Sequence, residues 1–290
     1  MIRPFRVTRL LSGLLAVAIG AALAALGSPI AVEPVARVLL ATLFLVAGGR
    51  ALLADAQASS ALDARRERGG PVAARPRTAF LPLAVLFLAL GAWQGFAAVQ
   101  ARGWPLLWLG SATVLLAVAF SRGPSLRERG LGEVASFLLF GPLPVLAGFV
   151  AASGRFSWVA VAGALPLGLL ATACFVAATC GEPVGRDRRR RGWAAAFPRP
   201  ALERAFLVLI ALSYAWVCYG AARGFYPVSA LAVLVTIPWG ARAYAALRHP
   251  PGAAEEGHPV ADHAVAAYLA FAGVLFAALV LHLTMGARAV

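Results

Sequence analysis

The sequence predicts an all-α polytopic membrane protein, a single helical domain over residues 1–290 built from nine transmembrane helices. Three observations lead there. Hydrophobic residues make up 61% of the 290 and charged residues 13%. A soluble domain carries roughly 45–50% apolar and about 25% charged residues, so too little polar surface remains to cover a water-soluble globule. Apolar runs close to the length of a bilayer crossing recur along the chain. The 26 basic residues, all arginine, gather in alternate connecting segments. A soluble enzyme, a disordered chain and a disulfide scaffold are excluded.

The apolar runs are 10–27, 35–54, 79–100, 104–120, 132–151, 157–180, 204–222, 225–247 and 263–284. The first follows Arg3, Arg6 and Arg9 and has the outline of a signal peptide, with small residues near Ala24. It is long enough to span and further spans follow, so it is expected to stay as the first transmembrane helix. The joins after Gly103, Ser153 and Arg223 are short enough for tight hairpins, whereas 55–78, 121–131, 181–203 and 248–262 are long and polar.

Arginine placement sets the orientation. With the N-terminus in the cytoplasm, twenty arginines fall in cytoplasmic segments and five (Arg37, Arg102, Arg155, Arg223 and Arg288) fall outside, with Arg50 inside the second span. This agrees with the positive-inside rule and requires an odd number of spans. The expectation is an integral protein of a bacterial inner membrane, with polar loops cytoplasmic and the C-terminus outside. Net charge is +14. In a soluble protein it would suggest nucleic acid; here the orientation rule accounts for it, and no nucleic-acid partner is expected. Trp104, Trp158 and Tyr226 fall at outer span ends, where amphipathic rings favour the interface. Cys174, Cys180 and Cys218 form no CxxC pair and are expected to pack as buried thiols.

Every long polar loop shares one face, and the acids gather there in three clusters. Asp55, Asp63 and Glu67 come after the second span, Glu128 and Glu133 lie within 122–133, and Glu182 and Asp187 come after the sixth span. Acids from separate helix ends, beside arginines, are the parts of a metal–diphosphate site. Mg²⁺ joins one or two carboxylates to substrate phosphates, and guanidinium groups take phosphate oxygens in pairs. The plain alternative is a positive-inside loop with a few balancing acids. Neither the eight-residue spacing of Asp55 and Asp63 nor the five-residue spacing of Glu182 and Asp187 stacks two ligands on one helix face. His249, His258, His263 and His282 contain no H-x-x-x-H pair.

The middle of the chain carries a resemblance. Residues 123–133, G-P-S-L-R-E-R-G-L-G-E, lead into V-A-S-F-L-L-F-G-P-L-P-V-L-A-G-F, and A-L-P-L-G-L-L-A-T-A stands at 164–173. This resembles the UbiA superfamily of membrane prenyltransferases, nearest to its 1,4-dihydroxy-2-naphthoate branch in menaquinone synthesis. The stretch R-G-L-G-E…F-G-P at 129–142 is its most specific part. The resemblance implies a polyprenyl diphosphate donor, an aromatic or other apolar acceptor, and Mg²⁺ at two aspartate-rich motifs. Here those motifs are degraded. Along the second, N-x-x-R-D-x-x-x-D, Ala178 replaces the Asn, Glu182 takes the first Asp, Arg186 the second, and Arg191 the basic residue after it; Asp187 is one position off. Along the first, Asp55 fits only after a one-residue shift, which puts Ala58 and Leu62 where acids belong and Asp63 beside the last; in the ungapped register Arg50 takes a family Asn.

The resemblance, with these departures, implies a weakened Mg²⁺ site at Asp55, Asp63, Glu182 and Asp187, with diphosphate held by Arg50, Arg127, Arg129, Arg186 and Arg191. Three functions remain open: a prenyltransferase, a non-catalytic bundle that binds a quinone or isoprenoid or serves a membrane enzyme, and a transporter. The acids sit at span ends rather than mid-membrane, and no internal repeat is evident, which weighs against transport. Acceptor, prenyl length and oligomeric state are not written in the sequence.

Overall fold

The computed structural model describes residues 5–27, 29–67, 80–121, 130–180, 193–248 and 259–286, with the backbone alone at 5–10, 53–67, 80, 121, 194–195, 259 and 286. Among the described residues every regular element is helical. In chain order they are α1 (Phe5–Ala25), α2 (Val32–Glu67), α3 (Phe80–Arg102), α4 (Trp104–Ser121), α5 (Gly132–Phe140), α6 (Pro142–Ser153), α7 (Trp158–Cys180), the single turn α8 (Trp193–Ala196), α9 (Arg199–Ala222), a 3₁₀ stretch Val228–Thr236, α10 (Ile237–Arg248) and α11 (Pro259–Gly286). Seven segments are long and apolar enough to cross a membrane: Val32–Leu52, Leu81–Arg102, Gly132–Ser153, Trp158–Cys180, Arg199–Ala222, Val228–Arg248 and Val260–Met285. Leu11–Ala25 and Trp104–Phe120 are shorter apolar helices. All nine apolar runs are therefore helical, and the molecule is an integral membrane protein.

Four elements differ from the expectation, each for a local reason. The second helix does not stop at residue 54 but continues to Glu67. Its extension has four alanines and two arginines among thirteen residues, lacks Gly and Pro, and gives way to Gly69-Gly70-Pro71. The fifth run is two helices, because Pro142 and Pro144 offer no N–H to the carbonyls of Leu138 and Phe140. The eighth run opens as 3₁₀, where the Ile237 N–H reaches back to Leu234 O in place of the N–H that Pro238 lacks. The last helix begins at Pro259, four residues before the apolar run and within the stretch expected to be polar.

Each spanning segment packs on its chain neighbour, and α11 returns to α1, closing the ring. The first helix also crosses α6 and α7. It contributes Ala16, Ile19, Ala22 and Leu23 to the main buried cluster, which draws otherwise on α6, α7, α9, the 3₁₀ stretch, α10 and α11. A Cβ on Gly20 would strike Val145 O, and one on Gly148 would strike Val17 O, so α1 and α6 approach backbone to backbone. A second cluster joins α1, α2, α3, α4 and α6 through Val17, Val38, Ala98, Leu106, Val150 and Ala151.

The bundle has two unlike ends. At one, the connections are short. Gly103 alone joins α3 to α4 with φ +81°, and its N–H donates to Val99 O at 2.6 Å. Arg102 reaches across to the last turn of α6, donating to Ala151 O at 2.8 Å and Ala152 O at 3.0 Å. The other end receives the C-termini of α2, α4, α7 and α10 and the N-termini of α3, α5, α9 and α11, as antiparallel alternation requires. In the sequence these helix ends are joined by the long polar segments 68–79, 122–129, 181–192 and 249–258, which lie outside the described residues. Here Arg199 on α9 donates to Leu247 O on α10 at 2.9 Å.

Trp104 and Trp158 are exposed at the short-turn end, as expected. Tyr226 is not. It is 2% exposed, and its hydroxyl donates to Gly163 O at 2.5 Å. The ring leaves the interface because α7 offers it a buried carbonyl one turn from Pro166. The thiols also differ from expectation: Cys218 is exposed on the apolar flank of α9, and Cys174 and Cys180 are half-buried.

Candidate functional site

The polar end holds the described members of the expected site. Arg50 is half-buried on α2, two residues before the end of the Val32–Leu52 span. Asp55 and Asp63 stand further along the same continuous helix. Eight residues of α-helix separate them by roughly 12 Å of rise and about 80° of rotation. Arg127, Arg129, Glu182, Arg186, Asp187 and Arg191 lie outside the described residues. Among the described residues there is no group of three or more His, Cys, Asp or Glu side chains placed to hold a metal.

The side chain that organises the described part of this end is Glu133, in the first turn of α5. It is 1% exposed. Its Oε1 accepts the backbone N–H of Trp193 at 2.9 Å, a bond to a residue 60 positions later. Its Oε2 is buried and has no hydrogen-bond partner; among the described residues no other buried side-chain oxygen or nitrogen is in that state. A carboxylate in the first turn is favoured by the positive end of the helix dipole, which helps it persist in such surroundings. The carbonyl of Glu133 accepts the Ser136 hydroxyl at 2.8 Å, and Thr172 on α7, which donates to Gly168 O at 3.0 Å, lies 3.4 Å from it. In the sequence Glu133 is one member of an acidic cluster, with no role of its own. The signal that could have singled it out is an acid directly heading an apolar run, at the end of R-G-L-G-E.

Along the bundle the helices are fixed by groups that finish broken hydrogen-bond ladders. Tyr268 on α11 donates to Phe140 O at 2.8 Å, a carbonyl to which Pro144 cannot donate. The Trp216 indole on α9 donates to Ala162 O at 2.8 Å, the carbonyl left by Pro166 within α7. Phe120, at the polar end of α4, meets Phe175 of α7 edge-on at 5.6 Å. The cluster that ties α2, α3 and α4 to the bundle uses residues of the short-turn half, and among the described residues no buried cluster joins them to α5 at the polar end. Among the described residues the bundle is joined by its two larger buried clusters, one of which ties α2, α3 and α4 to it at the short-turn end.

No family model and no curated protein matches the sequence. Solved structures do match the fold. The apo structure of a UbiA homologue from Aeropyrum pernix K1 superposes with a TM-score of 0.67 at 17% identity, over 94% of this chain and 98% of that one. A structure of digeranylgeranylglyceryl phosphate synthase, described for its biosynthesis and mechanism in membranes, gives a TM-score of 0.60 at 14% identity, over 95% of this chain and 98% of that one. The chain thus has the fold of these two proteins along nearly its whole length.

Proposed function

We propose that this protein is a UbiA-type membrane prenyltransferase that moves a polyprenyl group from a prenyl diphosphate to an aromatic or other apolar acceptor. The observation that carries the reading is the shared fold over 94% of the chain, in a sequence whose long arginine-rich and acidic segments alternate with short joins. In this reading nine segments cross the membrane and residues 1–290 work as one unit. The polar end faces the cytoplasm of a bacterial cell, and the C-terminus lies outside.

Arg50, Arg127, Arg129, Arg186 and Arg191 take the diphosphate oxygens, and the prenyl tail occupies the apolar interior between α2–α4 and α5. Arginine is suited to this because its planar fork pairs with two oxygens at once. Heterolysis of the allylic C–O bond leaves its electron pair on the diphosphate, where the guanidinium groups stabilise the growing negative charge. An electron-rich carbon of the acceptor attacks the allylic carbon and then loses its proton. Asp55, Asp63, Glu182 and Asp187 are the residues that would hold Mg²⁺, which would neutralise further charge on the leaving group. With so few carboxylates a metal would be bound weakly there, leaving the arginines to carry more of the load. A quinone precursor, as in the 1,4-dihydroxy-2-naphthoate branch, is the acceptor class we favour.

The test is a thermal-stability titration of the detergent-solubilised protein with geranylgeranyl diphosphate, with and without Mg²⁺, and then transfer assays with labelled donor. A ligand that binds only the folded state raises apparent stability by mass action. Stabilisation strengthened by Mg²⁺ supports the metal-assisted site, and stabilisation without it supports the arginine-held site. No stabilisation at saturating donor overturns the reading in favour of a non-catalytic isoprenoid or quinone binder.

A further inference from the structure

The pair α9 and α10 carries a polar feature turned away from the core. Two contacts set its register: a Cβ on Gly240 would lie 3.4 Å from Ile210, and Arg199 donates to Leu247 O at 2.9 Å. The two helices are therefore antiparallel, with the end of α10 beside the start of α9. From the Ile210–Gly240 contact, Arg204 lies six residues toward the polar end on α9, and Arg248 lies eight residues toward it on α10. At about 1.5 Å per residue these are rises of about 9 and 12 Å, so the two stand within about 3 Å of one level. At about 100° per residue, Arg204 is turned about 120° from Ile210 and Arg248 about 80° from Gly240, in opposite senses. On facing helices opposite senses lead to one face. Both arginines are exposed, and among the described residues neither has a hydrogen bond or ion pair. The one acid of these two helices, Glu203, is 20% exposed and pairs with Arg199 at 3.5 Å.

Further along the bundle the same face is apolar. Leu207 and Ala211 on α9 and Ala241 and Ile237 on α10 follow the arginines, all of them exposed. The two alanines stand within about 3 Å of one level, and their small side chains leave a furrow between the helices. Ile237 is eleven residues from Arg248, about 16.5 Å of rise, close to the hydrocarbon depth of one leaflet, about 15 Å. We infer that this face binds a phospholipid with an anionic head group. Arg204 and Arg248, on axes about 8–10 Å apart, reach one phosphate, and an acyl chain lies along Leu207, Ala211, Ala241 and Ile237. Guanidinium forks suit phosphate oxygens, and basic residues at headgroup depth are attracted to anionic lipid. A soluble anion has no use for the furrow, and a zwitterionic lipid brings its own cation to the mouth. The site shares no residue with the prenyltransferase reading and does not depend on it.

Native mass spectrometry of the full chain, released from micelles holding dioleoylphosphatidylglycerol or dioleoylphosphatidylcholine, counts bound lipids and protein copies together. At about fivefold per arginine, the anionic lipid should bind about 25-fold more tightly. Arg204→Gln and Arg248→Gln should each remove about fivefold of that preference, and the double change should bring the two lipids to parity. Arg242→Gln is the control: Arg242 is also exposed, but it is turned about 120° from Arg248, and its loss should leave the preference unchanged. Ala211→Trp, which fills the furrow, should abolish the preference with both arginines in place. Should that variant misfold, Ala241→Phe tests the furrow from the other helix. A preference that falls as far with Arg242→Gln as with Arg248→Gln is diffuse attraction and overturns the site. Glycerol 3-phosphate binding as tightly as the whole lipid overturns it in favour of a soluble anion, and a dimer that Ala211→Trp dissolves does so in favour of a second copy. Geranylgeranyl diphosphate binding should be equal in wild type and the double arginine variant; its loss there overturns the assignment to phospholipid. Wild-type protein that ignores the diphosphate yet prefers phosphatidylglycerol refutes the prenyltransferase reading and leaves the lipid site standing.

Discussion

The hydroxyl of Tyr268 offers the cleanest perturbation, because its removal changes one hydrogen bond and little volume. The phenol is buried, lies 2.8 Å from Phe140 O, and completes a ladder that Pro144 leaves open. Tyr268→Phe leaves that carbonyl without its donor. Leaving a buried acceptor unpaired costs about 1–3 kcal/mol, whereas hydrogen bonds within membrane bundles average about 0.6 and reach about 1.7 kcal/mol. The upper part of the membrane range applies, since the carbonyl sits at a helix break and has lost its usual backbone donor. We expect a loss of about 1.5 kcal/mol in the wild-type background. Pro144→Ala supplies a backbone N–H at the missing position. In that background Tyr268→Phe should cost under about 0.5 kcal/mol, giving a coupling near 1 kcal/mol. Reversible unfolding in mixed micelles can be tracked through the exposure of Cys174 and Cys180 to a thiol-reactive dye, in a Cys218→Ala background because Cys218 is exposed. Equal costs in the two backgrounds would refute the claim that the tyrosine substitutes for the proline's absent donor.

Arg102→Ala should destabilise by about 1.5–3 kcal/mol, since two carbonyls at the C-terminus of α6 lose a cationic cap; Arg102→Lys should recover less than half, because an ammonium does not bridge both, and chemical denaturation reads the difference. Burial pushes the Tyr226 hydroxyl well above its ordinary value of 10.0. Its stabilising contribution is fully present below about pH 10 and is lost as pH rises further, so the melting temperature should fall more steeply above pH 10 in wild type than in Tyr226→Phe. Arg186→Ala and Arg129→Ala should each weaken prenyl diphosphate binding by roughly 1.5–3 kcal/mol, and Glu182→Gln should abolish any Mg²⁺ dependence; calorimetric titration measures both.

The spans were readable because hydropathy reports the one constraint a bilayer imposes on every residue of a crossing helix. The hairpins at Gly103, Ser153 and Arg223 were equally plain, being short joins between long apolar runs. What escaped were features decided by partners remote in sequence. Tyr226 has the composition of an interface residue, and only the approach of α7 turns its hydroxyl inward. The division at Gly141 was written in F-G-P-L-P, but its tolerance depends on a tyrosine 128 residues later. Glu133 reads as one of the acids that balance arginines, whereas its burial comes from the packing of α5 on α7. Asp55 and Asp63 were legible as neighbours of a span; that they share one unbroken helix, and so stand well apart, needed the extension of α2 to Glu67.

The side chains that complete the proline-broken ladders also set a schedule for biosynthesis. At roughly 5–20 residues per second, Trp216 is made about 3–11 seconds after Ala162, from which it is separated by 54 residues. Tyr268 comes 128 residues after Phe140, or about 6–26 seconds at the same rate. During those intervals the growing chain holds apolar segments whose backbone is incompletely bonded, which favours their waiting beside the insertion machinery or a chaperone over release into lipid. A nascent chain stalled before α11 should therefore remain associated with that machinery, and it is the final helix that lets the earlier ones leave.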